Sequence, residues 1–352
     1  MQQNYTSNNE KYFAAANSYK GFKSYFDRIF APEQFDRIYI IKGGPGTGKS
    51  SIMKNIVSHM KEKDCNIEEI YCSSDPRSLD GIICKNGEKR IALIDGTSPH
   101  ETDPKIPGVI DEIINLGENW DSRWLSAKRE EILALNREKS NAYKAAYSYL
   151  KIAGEAAEFI IGVIKANFDF VEAKKLINNF CLNLTYDNKK AINTRLVSAF
   201  CKYGCYKLDT IDKIAKKTIE FCGNKFSVML TLNEISRFIS TTGTSYTECP
   251  SALQFDMPDA IFIHSCSTAF VAGNNGINTD ELIRKSISYD SEIIKNAQLI
   301  HDIALDEAQR WFAIASDMHF RLEKIYTQAM SFTKNESLLT KKLEEIENIL
   351  EV

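Results

Sequence analysis

No run of apolar residues in this 352-residue chain approaches the roughly 18 that a membrane-spanning helix needs. The most apolar stretch, residues 153–164, is interrupted by Glu155 and Glu158. The first ten residues lack the positive start and apolar core of a secretory leader, and they predict a polar tail over 1–11. An excess of charge is lacking as well. Lys and Arg total 44 against 47 Asp and Glu, and the net charge of −3 gives no global attraction to nucleic acid or anionic lipid. Neither is expected as a partner. Cysteine pairs at zinc-binding spacing are also missing. The nine cysteines are odd in number and scattered, and Cys201 and Cys205 have no second pair to join. Reduced thiols in a cytoplasmic protein are expected, not a disulfide framework or a structural metal.

What is present is ordinary for a globular protein: 43% hydrophobic and 26% charged residues, at a length that suggests about two domains. One segment stands apart. Residues 43–50 read Gly43-Gly44-Pro45-Gly46-Thr47-Gly48-Lys49-Ser50, a complete match to G-x-x-x-x-G-K-[ST]. The apolar run Ile38–Ile41 precedes it. An amphipathic stretch with Ile52, Met53, Ile56, Val57 and Met60 follows. Strand, glycine loop and helix are the context in which backbone N–H groups cradle phosphate oxygens at a helix N-terminus. In that role Lys49 reaches the β- and γ-phosphates, Ser50 ligates Mg²⁺, and Thr47 and Ser51 add hydroxyl or amide contacts. ATP and Mg²⁺ are the expected cofactors.

The rest of the first half supplies candidates for the chemistry. Ile91-Ala92-Leu93-Ile94-Asp95 has the pattern of a second phosphate-site strand whose aspartate orients the metal, unless Asp95 is a plain turn aspartate. It reads as the second arm of a hairpin turned at Asn86-Gly87. His100, in the polar loop 96–104, is a candidate to orient substrate or water, or a capped loop histidine. Asp75 and Asp80 lie beyond a strand at 67–72. Asp75 is a candidate acceptor-side base, or the cap of an Asx turn. Gly96 follows Asp95 where many ATP hydrolases carry a glutamate. Arg77, Arg90 and Arg123 are candidate charge-stabilising arginines. Tyr19 and Phe22 are candidates to line an adenine pocket. Phe13–Phe30 reads as a helix, and residues 109–179 as mostly helical.

The second half echoes the first. Residues 199–206 match 16–22. Phe226–Leu230 reads as the counterpart of the Ile38–Ile41 strand, which leaves no glycine cradle and no lysine after it. On the same alignment His264 takes the place of Asp95. A degenerate duplicate and an unrelated C-terminal domain both remain open. The modules are expected at 12–185 and 190–352.

These features resemble a little-characterised family of bacterial ATP-binding proteins built from tandem P-loop modules. The resemblance rests on Lys20-Gly21-Phe22, residues 43–51, 72–81, Asp95–His100 and residues 107–117. It implies an α/β P-loop NTPase fold, a mostly parallel sheet flanked by helices, ATP binding and ATPase-like chemistry. The usable second loop of the family is missing here. Three functions follow: MgATP hydrolysis at one site with a regulatory second module, phosphoryl transfer to a small acceptor, or a non-enzymatic ATP-dependent switch acting on a protein partner. Oligomeric state is left open.

Overall fold

The computed structural model describes residues 9–182, 184–189, 191–284 and 291–352. The chain forms an α/β structure with two mixed six-stranded sheets flanked by helices. No helix among the described residues is long and apolar enough to cross a membrane. No disulfide links the nine cysteines.

The first half runs β1 (Asn9–Phe13), β2 (Ala15–Ser18), β3 (Gly21–Ser24), α1 (Phe26–Ile29), β4 (Arg37–Lys42), α2 (Lys49–Glu62), β5 (Asn66–Tyr71), β6 (Leu79–Asn86), β7 (Lys89–Asp95), β8 (Asp111–Asn115), α3 (Ser122–Ala127), α4 (Arg129–Asn167) and α5 (Phe170–Cys181). The second half repeats the plan: β9 (Ile192–Thr194), β10 (Ser198–Cys201), β11 (Gly204–Lys207), α6 (Thr210–Ile214), β12 (Lys217–Cys222), α7 (Lys225–Thr242), β13 (Tyr246–Pro250), β14 (Pro258–Ile263), β15 (Thr268–Ala272), β16 (Ile277–Asn278), α8 (Ser291–Ala329) and α9 (Phe332–Leu350).

The two sheets have one topology. The first is ordered β1-β5-β6-β7-β4-β8 and the second β9-β13-β14-β15-β12-β16. In each, the two hairpin contacts are antiparallel and the other three pairings parallel. Each sheet thus carries a hairpin where a uniformly parallel sheet would need a helical crossover. The repeat extends to single hydrogen bonds: Gly96 N–H donates to Ile41 O at 3.0 Å, and Gly273 N–H to Phe221 O at 2.9 Å. The chain thus carries one strand order and pairing pattern twice.

Against the expected blocks at 12–185 and 190–352, the compact units interleave. One comprises Met1–Ala14, Ser24–Lys144 and Trp311–Val352; the other comprises Ala15–Lys23 and Ala145–Arg310. The core of the first unit sets Tyr39 and Ile41 of β4 against Met53, Ile56 and Met60 of α2, and against Ile346 and Leu350 of α9. Strand β4, paired with β7 and β8, is apolar on both faces, as a strand covered on both sides must be. In the second unit Phe221 of β12 and Phe270 of β15 pack against Leu232, Ile235 and Ile239 of α7, with Ile177 and Cys181 of α5.

Three expectations change. The tail predicted over 1–11 lies outside the described residues up to position 8, and its remainder belongs to β1, which pairs in parallel with β5. Phe13–Phe30 is not one helix: Gly21 takes φ +96° and turns the chain into the short β2–β3 sheet before α1. Residues 111–115 are an edge strand on β4, so the helical region begins at α3.

Candidate functional site

The loop between β4 and α2 holds Gly43–Gly48. Gly46 and Gly48 take φ values of +68° and +92°, a left-handed conformation that costs an L-residue about 1–2 kcal/mol. The turn is backed from outside by the C-terminal helices of the same unit. Asn335 Nδ2 donates to Thr47 O at 2.9 Å and Thr327 Oγ1 to Gly46 O at 3.2 Å. Asn119 Nδ2 holds Asn335 Oδ1 at 2.9 Å. Within the loop, Thr47 Oγ1 donates to Gly44 O at 2.9 Å. The sequence offered no signal for Asn119, Thr327 or Asn335, which lie far along the chain.

Lys49 opens α2 and turns its ammonium back over the loop. Nζ donates to Gly43 O at 3.0 Å and Gly44 O at 2.8 Å, and lies 3.6 Å from Asp95 Oδ2. The pairing of Ile41 with Asp95 across β4 and β7 sets that carboxylate beside the loop. Its other oxygen accepts from Thr97 N at 3.0 Å and Thr97 Oγ1 at 2.5 Å. Ser50 Oγ accepts the Leu79 N–H at 3.0 Å, which ties α2 to the start of β6. Ser51, one residue on, faces solvent.

The candidate acids sort differently from the sequence reading. Asp75 is bound by Arg77 at 3.2 Å, on the exposed side of its turn. Asp80 instead enters the site: a bulge between Ile70 and Tyr71 sets the start of β6 so that its carboxylate is buried near Asp95. Burial pushes Asp80 up to about 8, and the Asp95 charge adds to the rise. His100 also converges here. Its ring stacks on Phe26 at 4.5 Å and 7°, and Nε2 lies 3.7 Å from Asp80 Oδ2. Burial lowers its pKa and favours neutral imidazole. One ligand atom each from Asp80, Asp95 and His100 lies within 4.8 Å of the others. Arg90 sits over the Phe35 ring and pairs with Glu68, away from this cluster. Tyr19 belongs to the second unit, where its hydroxyl meets His301 Nε2 at 2.8 Å.

The equivalent place in the second unit corrects the sequence alignment. Phe226–Leu230 is not a strand but the opening of α7, and the strand is β12. A short apolar run reads alike in a strand and a buried helix. The Asn224 side chain, which accepts from Phe226 N at 3.0 Å, caps the helix. A lysine does follow the strand: Lys225 holds the first helical position, as Lys49 does. The glycine cradle is absent, because Gly223 and Asn224 alone join β12 to α7. Phe221 pairs with Ala272, so Ala272 and not His264 stands where Asp95 stands.

The N-terminus of α7 is occupied by the chain's own carboxylate. Asp280 Oδ1 accepts from Asn224 N and Ser227 Oγ, both at 2.8 Å. Its counterpart is found through the turns that follow β8 and β16. Asn115 Oδ1 accepts from Gly117 N at 3.0 Å, and Asn278 Oδ1 from Asp280 N at 3.0 Å. The first unit therefore has a glycine where the second carries its plug.

Asp259 begins β14 as Asp80 begins β6, but accepts from Ser198 Oγ at 2.6 Å. Burial raises its pKa. A carboxyl raised in the folded state binds more protons there than in the unfolded chain, so its contribution to stability falls as pH climbs above the unfolded value of about 4. Denaturation across pH 4–8 is expected to show the wild type losing stability relative to Asp259→Asn, and parallel curves would refute it.

Comparison with family models, curated proteins and solved structures finds no match to this chain.

Proposed function

We propose that the first unit is a P-loop nucleotide site that binds MgATP and hydrolyses it, and that the second unit is a non-binding copy with a structural or regulatory role. The observation that carries this is the contrast between equivalent helix N-termini. In the second unit an anionic carboxylate, Asp280, plugs a two-residue turn. In the first, Gly117 replaces the plug and a six-residue glycine loop carries Lys49 against backbone carbonyls and Asp95. A helix N-terminus that accepts a carboxylate in one copy has the chemistry to accept a phosphate in the other.

The residues fit the expected cofactors. Loop N–H groups and the start of α2 would hold the phosphates. Lys49 would exchange its carbonyl partners for phosphate oxygens. Ser50 and Asp95 would take Mg²⁺, whose charge offsets that which develops on the transferred group. The proximity of Asp80 and His100 to Asp95 favours, as the second reading, transfer to a small hydroxyl acceptor.

Calorimetric titration with MgATP tests the assignment. One nucleotide per chain is expected. Two per chain would overturn the silent second unit, and none would overturn the site itself.

A further inference from the structure

Asp80 is the buried group that the nucleotide reading leaves unexplained. Its side chain is 9% exposed. The Cys72 thiol is its hydrogen-bond partner, and His100 approaches no closer than 3.7 Å. Its counterpart Asp259 is held by a serine hydroxyl at 2.6 Å. A carboxylate so buried beside a second carboxylate is costly unless a proton or a cation offsets its charge. The ammonium of Lys49 reaches Asp80 only through its charge: its contacts are Gly43 O, Gly44 O and Asp95.

We infer that Asp80, Asp95 and His100 form a divalent-cation site of mixed oxygen and nitrogen character, which takes an ion such as Mn²⁺ directly from solution, before nucleotide arrives. Three ligand atoms within 4.8 Å of one another can share one ion. The imidazole is held by its stack on Phe26, so the ring needs little reorganisation to ligate. The Cys72 thiol is a hydrogen-bond partner of Asp80 and not one of the three ligands. Two carboxylates and one imidazole suit a borderline ion better than Mg²⁺, which prefers oxygen ligands and retains its waters. The inference uses the P-loop reading only for the ion's purpose, which is to set positive charge beside the phosphates that the loop would hold.

The test is Mn²⁺ titration of the nucleotide-free full chain, followed by electron paramagnetic resonance. Tight binding with nitrogen modulation from a directly bound imidazole is expected. His100→Gln should remove the modulation, and His319→Gln, an exposed control, should keep it. Asp80→Asn, isosteric and relieved of a buried charge, should fold and weaken binding by at least about tenfold, since it deletes an anionic ligand. Bound Mn²⁺ without nitrogen modulation would overturn the inference, as would unchanged affinity in Asp80→Asn. If Mn²⁺ binding fails these tests while MgATP still binds, the cation site falls and the nucleotide reading stands. If nitrogen-ligated Mn²⁺ binds and no nucleotide does, the cation site stands and the nucleotide reading falls.

Discussion

Lys49→Ala is expected to lower MgATP affinity by about 10²–10³-fold, with the fold intact. The lysine would give charge-assisted hydrogen bonds to phosphate oxygens, each contributing about 1.5–3 kcal/mol. The gain is partial, because in the free protein Nζ already holds Gly43 O, Gly44 O and Asp95. About 3–4 kcal/mol remains, and each 1.4 kcal/mol is tenfold in affinity. Lys49→Arg should not restore binding, since a planar fork does not replace a compact ammonium in a tight turn. The measurement is a calorimetric titration of both variants, with thermal unfolding to confirm the fold. Affinity equal to wild type in Lys49→Ala would remove the P-loop assignment.

Gly46→Ala is expected to destabilise the first unit by about 2–5 kcal/mol, the sum of left-handed strain and overpacking. A methyl group there would lie 2.5 Å from the backbone carbonyl oxygen of Glu323 and 2.6 Å from Thr327 Oγ1. The first of these is helix backbone and cannot rotate away. Gly87 supplies the control. It also has positive φ, at +55°, but no atom stands within 4 Å of an added Cβ. Gly87→Ala should cost only the conformational part, about 1–2 kcal/mol. Chemical denaturation of both variants separates the contributions, and equal losses would show that the α8 backbone does not brace the loop.

Much of the first unit was legible in its sequence because its signals are local. The glycine loop, the apolar run before it and the helical periodicity after it lie within about 25 residues, and the structure has β4, the turn and α2 there. The Asn86-Gly87 turn likewise marked the β6–β7 hairpin. Asp95 was found by its place at the end of an apolar strand, and the β4–β7 register sets it beside Lys49. The second half was legible in outline only. Its match of residues 199–206 to 16–22 has the structural sense of hairpin to hairpin, β10–β11 to β2–β3. Two matches beyond it slipped by an element: Phe226–Leu230, apolar enough for either state, opens α7 behind the Asn224 cap, and the run into His264 is β14, which stands where β6 stands.

The sequence by itself determined the glycine-rich turn between β4 and α2, the place of Lys49 and Ser50 at the start of that helix, and the place of Asp95 at the end of an apolar strand. These follow from turn chemistry and periodicity, which act over a few residues. Only the tertiary structure decided that Asp80 and not Asp75 faces Asp95, that Ala272 takes the aspartate's place in the second unit, that Asp280 plugs α7, and that Asn335 and Thr327 brace the loop. Each of these depends on strand register or on contacts up to 288 residues apart. Register is set by which face of a strand must be buried, and remote contacts by how helices close a core. Neither is written in the residues around the site.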